Sequence, residues 1–261
     1  MLTRRMVLAG LMSLAAAPMA PAAAKPGGRL DAVIDISHMT TVSDFNLARK
    51  RSNILGVIHK ASEGGDWRDP LYAERRAQAE AAGLLWGAYH FGTHQFSGAD
   101  QAHMFLASAR PGPATLLALD LEFNDQNPSN TMQLRQAEAF VQTVLAATGR
   151  YPLIYTSAAW ADGKRMGAGR HSLGGGITPR SILARCPLWL ADYRGDPQLP
   201  HAWRGKGWHF WQYAGDGEQG GPRRARVGGV AGIESCDRNL FRGTAEMLRH
   251  FWKEAGRALG T

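Results

Sequence analysis

Leu116-Leu117-Ala118-Leu119-Asp120-Leu121-Glu122-Phe123 is a short apolar run that ends in two acids. A run of this length reads as a strand buried on both faces. Side chains alternate along a strand, so Asp120 and Glu122 point one way while Leu119, Leu121 and Phe123 point the other. Two carboxylates side by side at the end of a buried strand repel each other, which raises the proton affinity of at least one. A proton donor beside an ionised partner is what cleavage of a glycosidic bond needs. An isolated Asp-x-Glu is more often a strand running out into a polar loop, here Asn124 to Pro128. The flanking sequence decides between the two.

Before this strand the pattern alternates strand and helix. Asp31–Ser37 reads as a first strand, with Val33, Asp35 and Ser37 on one face. Ser43 caps a short helix through Arg51. Leu55–Lys60 is a second strand, Leu71–Ala82 an Ala-rich helix stopped by Gly83, and Leu84–Phe91 a third strand. Ala99–Ala109 is the next helix and Thr115–Phe123 the fourth strand. After it come a long helix over Thr131–Thr148 and a fifth strand, Pro152–Thr156. Alternation of this kind predicts a parallel sheet.

Beyond Ser157 the rhythm changes. Gly163–Gly176 reads as a Gly-rich basic loop. Leu188–Tyr193, Trp208–Ala214 and Gly232–Asp237 read as three more strands with no helical pattern between them. A final helix is expected over about Leu240–Leu259. The sum is an α/β, modified TIM-like barrel: five β/α units followed by three further strands. One catalytic domain over 31–261 accounts for it, with no linker or repeat inside.

In a parallel barrel, reactive side chains gather at the C-terminal ends of strands. Asp35 stands after strand one, Asp120 and Glu122 after strand four, and Asp237 after strand eight. Four carboxylates around one mouth are poorly explained as solvation. Aromatics end the same strands: Tyr89 and Phe91, Tyr155, Trp189 and Tyr193, Trp211 and Tyr213. Singly each suggests core packing. As a set beside an acidic centre they suggest a sugar-stacking groove.

The chain of 261 residues carries a formal charge of +8, which favours anionic partners. Its positive residues are scattered and match no common nucleic-acid-binding signature, so no nucleic-acid partner is expected. Residues 1–24 combine Arg4-Arg5, the apolar run Met6–Ala17 and small residues ending in Ala-x-Ala, the pattern of an export signal. The paired arginines point to the twin-arginine route, with Sec open. The run is too short to span a bilayer, which needs about 20 residues, so no stable membrane insertion is expected once the signal is removed. Residues 25–30 read as a short linker. Cys186 and Cys236 could pair in an oxidising compartment, and sequence leaves that open.

With these residues in view, the chain resembles the family-25 glycoside hydrolases, the N-acetylmuramidase lysozymes. The resemblance rests on D-A-V-I-D-I-S (31–37), I-H-K-A-S-E-G (58–64), D-P (69–70), A-G-L-L-W-G-A-Y-H-F (82–91) and L-D-L-E-F (119–123). It continues in Y-P-L-I-Y-T (151–156), P-L-W-L-A-D-Y (187–193), F-W-Q-Y (210–213) and D-R-N-L-F (237–241). The resemblance implies a barrel of five β/α units and three further strands, and hydrolysis of the β-1,4 bond between N-acetylmuramic acid and N-acetylglucosamine in peptidoglycan. By motif, Glu122 would be the general acid and Asp120 would orient the substrate acetamido group. Asp35 and Asp237 would line the site, and Tyr89, Tyr155, Trp189 and Gln212 would contact substrate. No family pattern covers Gly92–Gly98 or Ala158–Arg185, the loops that would shape the groove.

Other signals are weaker. Gly215-Asp216-Gly217-Glu218-Gln219-Gly220 fits G-x-G-x-x-G, but no helix pattern opens there, so a hairpin-like loop is expected. His90 and His94 straddle a strand end, and no metal or other cofactor is expected. No G-x-S-x-G occurs. The expected partner is the peptidoglycan glycan strand, met by a monomer outside the cytoplasm. The competing functions are hydrolysis of a related N-acetylated glycan such as chitin, and wall binding without catalysis.

Overall fold

The computed structural model describes residues 28–215 and 229–254. The expected signal and the residues 216–220 of the Gly-rich motif lie outside the described residues. In chain order the elements are β1 (Arg29–Ile36), β2 (Thr41–Val42), α1 (Phe45–Arg51), β3 (Gly56–Glu63), β4 (Trp67–Arg68), α2 (Tyr72–Ala81), β5 (Leu85–Phe91), α3 (Gly98–Ala109) and β6 (Leu116–Asp120). They continue with α4 (Leu134–Thr148), β7 (Leu153–Thr156), α5 (Ala158–Ala161), β8 (Leu188–Ala191), β9 (Phe210–Ala214), β10 (Ile233–Glu234), β11 (Asp237–Arg242) and α6 (Ala245–Glu254). β1 starts at Arg29, inside the stretch expected to be linker.

Eight strands close a barrel in the order β1-β11-β9-β8-β7-β6-β5-β3, and β3 pairs back onto β1. Pairing is parallel from β1 through β3, β5, β6, β7 and β8 to β9. β11 is antiparallel to both its neighbours, β1 and β9. This corrects the last third of the expected topology. The eighth barrel strand is Asp237–Arg242, not Gly232–Asp237, and the final helix begins at Ala245 rather than near Leu240. Gly232 instead turns the chain with φ +81° into the small β10–β2 pair.

Every barrel strand sends alternate side chains inward, and those side chains change character from one end to the other. Trp252 and Leu248 of α6 plug the N-terminal end of the strands, and the Trp252 indole N–H donates to the Trp86 carbonyl at 2.9 Å. Gly56 and Gly87 leave room for that indole, because a Cβ at either would press on Trp252. Above the plug lies an apolar layer that includes Val33, Ile58, Ala118, Leu153, Phe210 and Phe241. Tyr155 and Trp189 form the next level, edge to face at 4.8 Å. At the open end the same inward rows finish in Asp35, Lys60, Asp120, Gln212 and Asn239.

Outside the barrel, helices α1 to α4 cover the sheet through a second core that includes Leu119, Leu121, Phe105 and Phe140. Local sequence sets their ends. Asp44, rather than the expected Ser43, caps α1 by accepting from the Asn46 N–H at 2.7 Å. Ser97 caps α3, and Gly149 closes α4 in the left-handed region at φ +67°. Between β7 and β9 only the one-turn helix α5 and two 3-10 turns (Ile182–Arg185 and His201–Trp203) stand among the loops, as the loss of helical pattern implied.

Cys186 precedes β8 at the plugged end, whereas Cys236 precedes β11 at the open end. They form no disulfide with each other. Among the described residues no helix is long and apolar enough to cross a membrane.

Candidate active site

The antiparallel β11 explains how Asp237 reaches the mouth. It is the first residue of a strand that runs downward, so it lies at the rim where the parallel strands end. There it pairs in register with Asp35 of β1. Asp120 ends β6 opposite Tyr155 of β7. Glu122 lies two residues on, beyond the Leu121 N–H that still bonds to the Tyr155 carbonyl at 2.9 Å. The phenol of Tyr89 registers the convergence. Burial lifts its pKa first, and the charges of Asp120, Asp35, Asp237 and Glu122 add to that.

Gln212 is the hub of the polar floor. Its amide N–H groups donate to both oxygens of Asp35 at 3.1 Å and to Asp237 at 3.2 Å. Its carbonyl accepts from the hydroxyls of Tyr155 at 2.9 Å and Tyr193 at 2.6 Å. Asn239 donates to Asp35 at 2.7 Å and accepts from the Trp189 indole at 2.6 Å. Gln212 and Trp189 are each only 2% exposed, so they support the site from beneath rather than offer a contact surface. Tyr89 is partly open and Tyr193 is exposed at the rim. Trp211 and Tyr213 do not belong to the mouth. The Trp211 indole donates to the Asp192 carbonyl, and the Tyr213 hydroxyl bonds to Asp31.

Burial dominates the electrostatics. It pushes the partly exposed Glu122 up to about 7, helped by the charges of Asp125 and Asp237 and opposed by Lys60. It also holds Asp120 well above the usual carboxylate range, with Glu122 as the next cause and Lys60 again opposing. Asp35 is raised by burial and then by Asp237, against the hydrogen bonds from Asn239 and Gln212. The expectation of an ionised aspartate beside a protonated glutamate considered only their mutual repulsion. With burial included, both are raised and compete for protons. The Asp120 Oδ1 atom is buried with no hydrogen-bond partner. Leaving such an atom without a donor costs about 1–3 kcal/mol.

Sequence reasoning missed Lys60 as a site residue. Its ammonium pairs with Glu63 at 2.6 Å and lies 5.1 and 5.0 Å from the ring centres of Trp67 and Phe91. It is the cation that opposes the rise of both Asp120 and Glu122. Period-two reading from Ile58 would have placed it on the inner row. Among the described residues, no group of three or more His, Cys, Asp or Glu side chains is placed to hold a metal ion.

Paired acids at the open end of such a barrel are the arrangement glycoside hydrolysis uses, and comparison with known proteins shows the chain to be a glycoside hydrolase. Within that class it belongs to the glycosyl hydrolases family 25, whose model matches residues 34–221. It is 30% identical over 229 residues to lysozyme M1 of Streptomyces globisporus, covering 82% of this chain and 69% of that one. It is 27% identical over 261 residues to an N,O-diacetylmuramidase of Arthroderma benhamiae, covering 93% of this chain and 97% of the relative. The crystal structure of the bacterial lysozyme from Streptomyces coelicolor superposes with a TM-score of 0.69 at 26% identity, over 90% of this chain and 100% of that one.

Proposed function

We propose that the chain is a muramidase that cleaves the β-1,4 bond between N-acetylmuramic acid and N-acetylglucosamine in peptidoglycan. One observation carries the mechanism: Glu122, raised to about 7, stands two residues from an Asp120 oxygen that is buried and unpartnered. A carboxyl group with that proton affinity can hold its proton near neutral pH and release it to a leaving oxygen. Glu122 is therefore the general acid in this reading. The amide N–H of a substrate acetamido group would supply the donor that Asp120 Oδ1 lacks. That hydrogen bond favours the ionised form of Asp120 and leaves the proton on Glu122.

The acetamido oxygen would then attack the anomeric carbon as Glu122 protonates the departing oxygen, and the glycosidic bond breaks. Ionised Asp120 stabilises the positive charge spread over the acetamido group. Water attacks the anomeric carbon next, and the bond to the acetamido oxygen breaks, which restores the acetamido group. The water gives its proton to Glu122, which restores the acid. Asp35 and Asp237 line the site, and Gln212 donates to both. Tyr89 and Tyr193 offer rings to a sugar at the rim. All these residues come from one chain, so a monomer suffices. Peptidoglycan lies outside the cytoplasm, and export by the residues 1–24 is the matching proposal.

The names of the relatives, a lysozyme and an N,O-diacetylmuramidase, support this substrate over chitin and over wall binding without catalysis. The test is the identity of the new chain end. Purified peptidoglycan and chitin are incubated with the protein, new reducing ends are fixed with borohydride, and the products are weighed by mass spectrometry. Reduced muramic acid ends are expected. Reduced glucosamine ends, or release from chitin alone, would overturn the assignment.

A further inference from the structure

The rim of the barrel is electrically lopsided. The segment after β3, residues 64–71, holds Asp66 and Asp69 against Arg68. The segment after β6 holds Glu122 and Asp125 with no cation through Gln133. The segment between β7 and β8, residues 157–187, holds Lys164, Arg165, Arg170 and Arg180 against the one acid Asp162, and ends with Arg185 at the plugged end. Among the described residues none of these five cations forms a salt bridge. Asp162 is itself engaged, accepting from the His201 N–H at 2.8 Å.

This segment is built against the site. A bridge between Met166 and His171 folds residues 166–171 into a hairpin, with Gly167 and Arg170 in the left-handed region. The His171 ring packs on Phe123 at 6.0 Å, and Gly167 sits so close to Phe123 that a Cβ there would collide with the ring. Phe123 is the residue after Glu122 with its side chain on the opposite face, so the hairpin packs on the outer side of the strand end that carries the proposed acid. Behind it opens a cleft of about 550 Å³, lined by Asp162, Lys164, Arg194 and Arg204 with Ala158 and Leu199. Ala158 follows β7 and Arg194 follows β8 at the open ends of those strands, so the cleft starts at that end of the barrel. Asp192 grips the Arg194 guanidinium through Nε at 2.8 Å and Nη2 at 2.6 Å. The guanidinium stays 55% exposed. Lys164 and Arg204 are exposed and have no carboxylate partner among the described residues.

A glycan strand lying across the acidic mouth carries its peptide stems on the lactyl groups of muramic acid. Those stems bear free carboxylates, which the acidic side of the rim repels and the basic side attracts. We infer that the cleft lined by Lys164, Arg194 and Arg204 binds a carboxylate of the peptide stem, so that the enzyme prefers stem-bearing glycan. The inference rests on the muramidase reading and adds to it the part of the substrate that sets specificity. Lys164 and Arg204 supply point attraction, while Arg194, already oriented by Asp192, presents its remaining N–H groups.

The test compares two substrates free of other wall polymers: glycan oligomers with stems intact, and the same oligomers after an amidase has removed the stems. The readout is the ratio of kcat/KM on the first to kcat/KM on the second. The wild-type ratio is expected to exceed one, and to fall about five- to tenfold in a Lys164→Glu/Arg204→Glu double variant, chiefly through KM. Arg249→Glu, on α6 at the plugged end, makes a charge reversal remote from the cleft and should leave the ratio as it was. The preference should also weaken as salt is raised. A ratio unchanged in the double variant, or equal losses on both substrates, would overturn the stem assignment while the muramidase reading stands. Cleavage of neither substrate by the wild type would overturn both.

Discussion

Asp35 and Asp237 face each other across the antiparallel β1–β11 pair, and one amide group, that of Gln212, donates to both. Two acids in register, Asp35 buried and Asp237 partly so, repel unless a donor or a proton separates them. Gln212 supplies a donor to both, and through its carbonyl it also anchors Tyr155 and Tyr193. The rim is thereby tied together from β1, β7, β9 and β11 at a single side chain.

Replacing Gln212 with Leu keeps roughly the volume and removes every one of these bonds. The expected cost is about 2–4 kcal/mol, because several buried polar atoms lose partners at once. Urea unfolding of the variant measures it. A loss below about 0.5 kcal/mol would show that the rim holds without this clamp.

The pKa of Glu122 fixes the pH behaviour. An acid with a value of about 7 is protonated below that pH, so the rate should fall as pH rises through about 7. Stability follows the same group. In the unfolded chain it titrates near 4.5 and in the folded chain near 7, so the folded state binds more protons in between. Stability contributed by this group is complete below about 4.5, falls as pH rises toward 7 and is flat beyond. Glu122→Gln removes the buried charge and should raise stability at pH 8 by about 1–3 kcal/mol, discounted for its partial exposure. Thermal unfolding of both forms at pH 4 and pH 8 checks the sign. A variant less stable than wild type at pH 8 would contradict it.

The barrel plug is a separate claim. Trp252 fills the N-terminal end and is fully buried. Trp252→Ala should cost about 3–5 kcal/mol, since Gly56 and Gly87 have no side chains to collapse into the space. A variant unfolding at the wild-type urea concentration would show that α6 is not part of the core.

Much of this was legible in the chain. The strand Leu116–Asp120 and its two acids stood out because a fully apolar run stops at charged residues. The helices α2, α3 and α4 followed from Gly83, Pro111 and Gly149 at or beyond their ends. The last strand was misplaced because Asp237, Arg238 and Arg242 break up its apolar residues, Leu240 and Phe241, and hide the alternation. The alternation was there: Asn239 and Phe241 are buried, and Arg238 and Arg242 point outward. Its direction could not be read, since antiparallel closure depends on a neighbour nearly the whole chain away. Lys60 was overlooked for a different reason. One lysine in a strand reads as an edge charge until the acids it faces are located. The roles expected of Trp189 and Gln212 shifted because burial is a property of the closed barrel, not of the residue.

Two histidines give an independent check on the interior. Burial lowers His59 to about 4 and His90 to about 3, each hydrogen-bonded in place, His59 to the Lys60 carbonyl and His90 to Ser62 and Gln101. At pH 5, where an imidazole in water is charged, both rings should stay neutral. Nitrogen chemical shifts of the imidazoles report this directly. Charged rings at pH 5 would mean that water reaches the layer between sheet and helices.

The most direct measurement is the release of reducing ends from purified peptidoglycan by the wild-type chain and by Glu122→Gln, with the fold of both verified by circular dichroism. Loss of the general acid should lower the rate by about 10²–10⁴-fold with the fold unchanged. A folded Glu122→Gln protein that releases reducing ends at the wild-type rate would contradict the assignment of Glu122 as the proton donor.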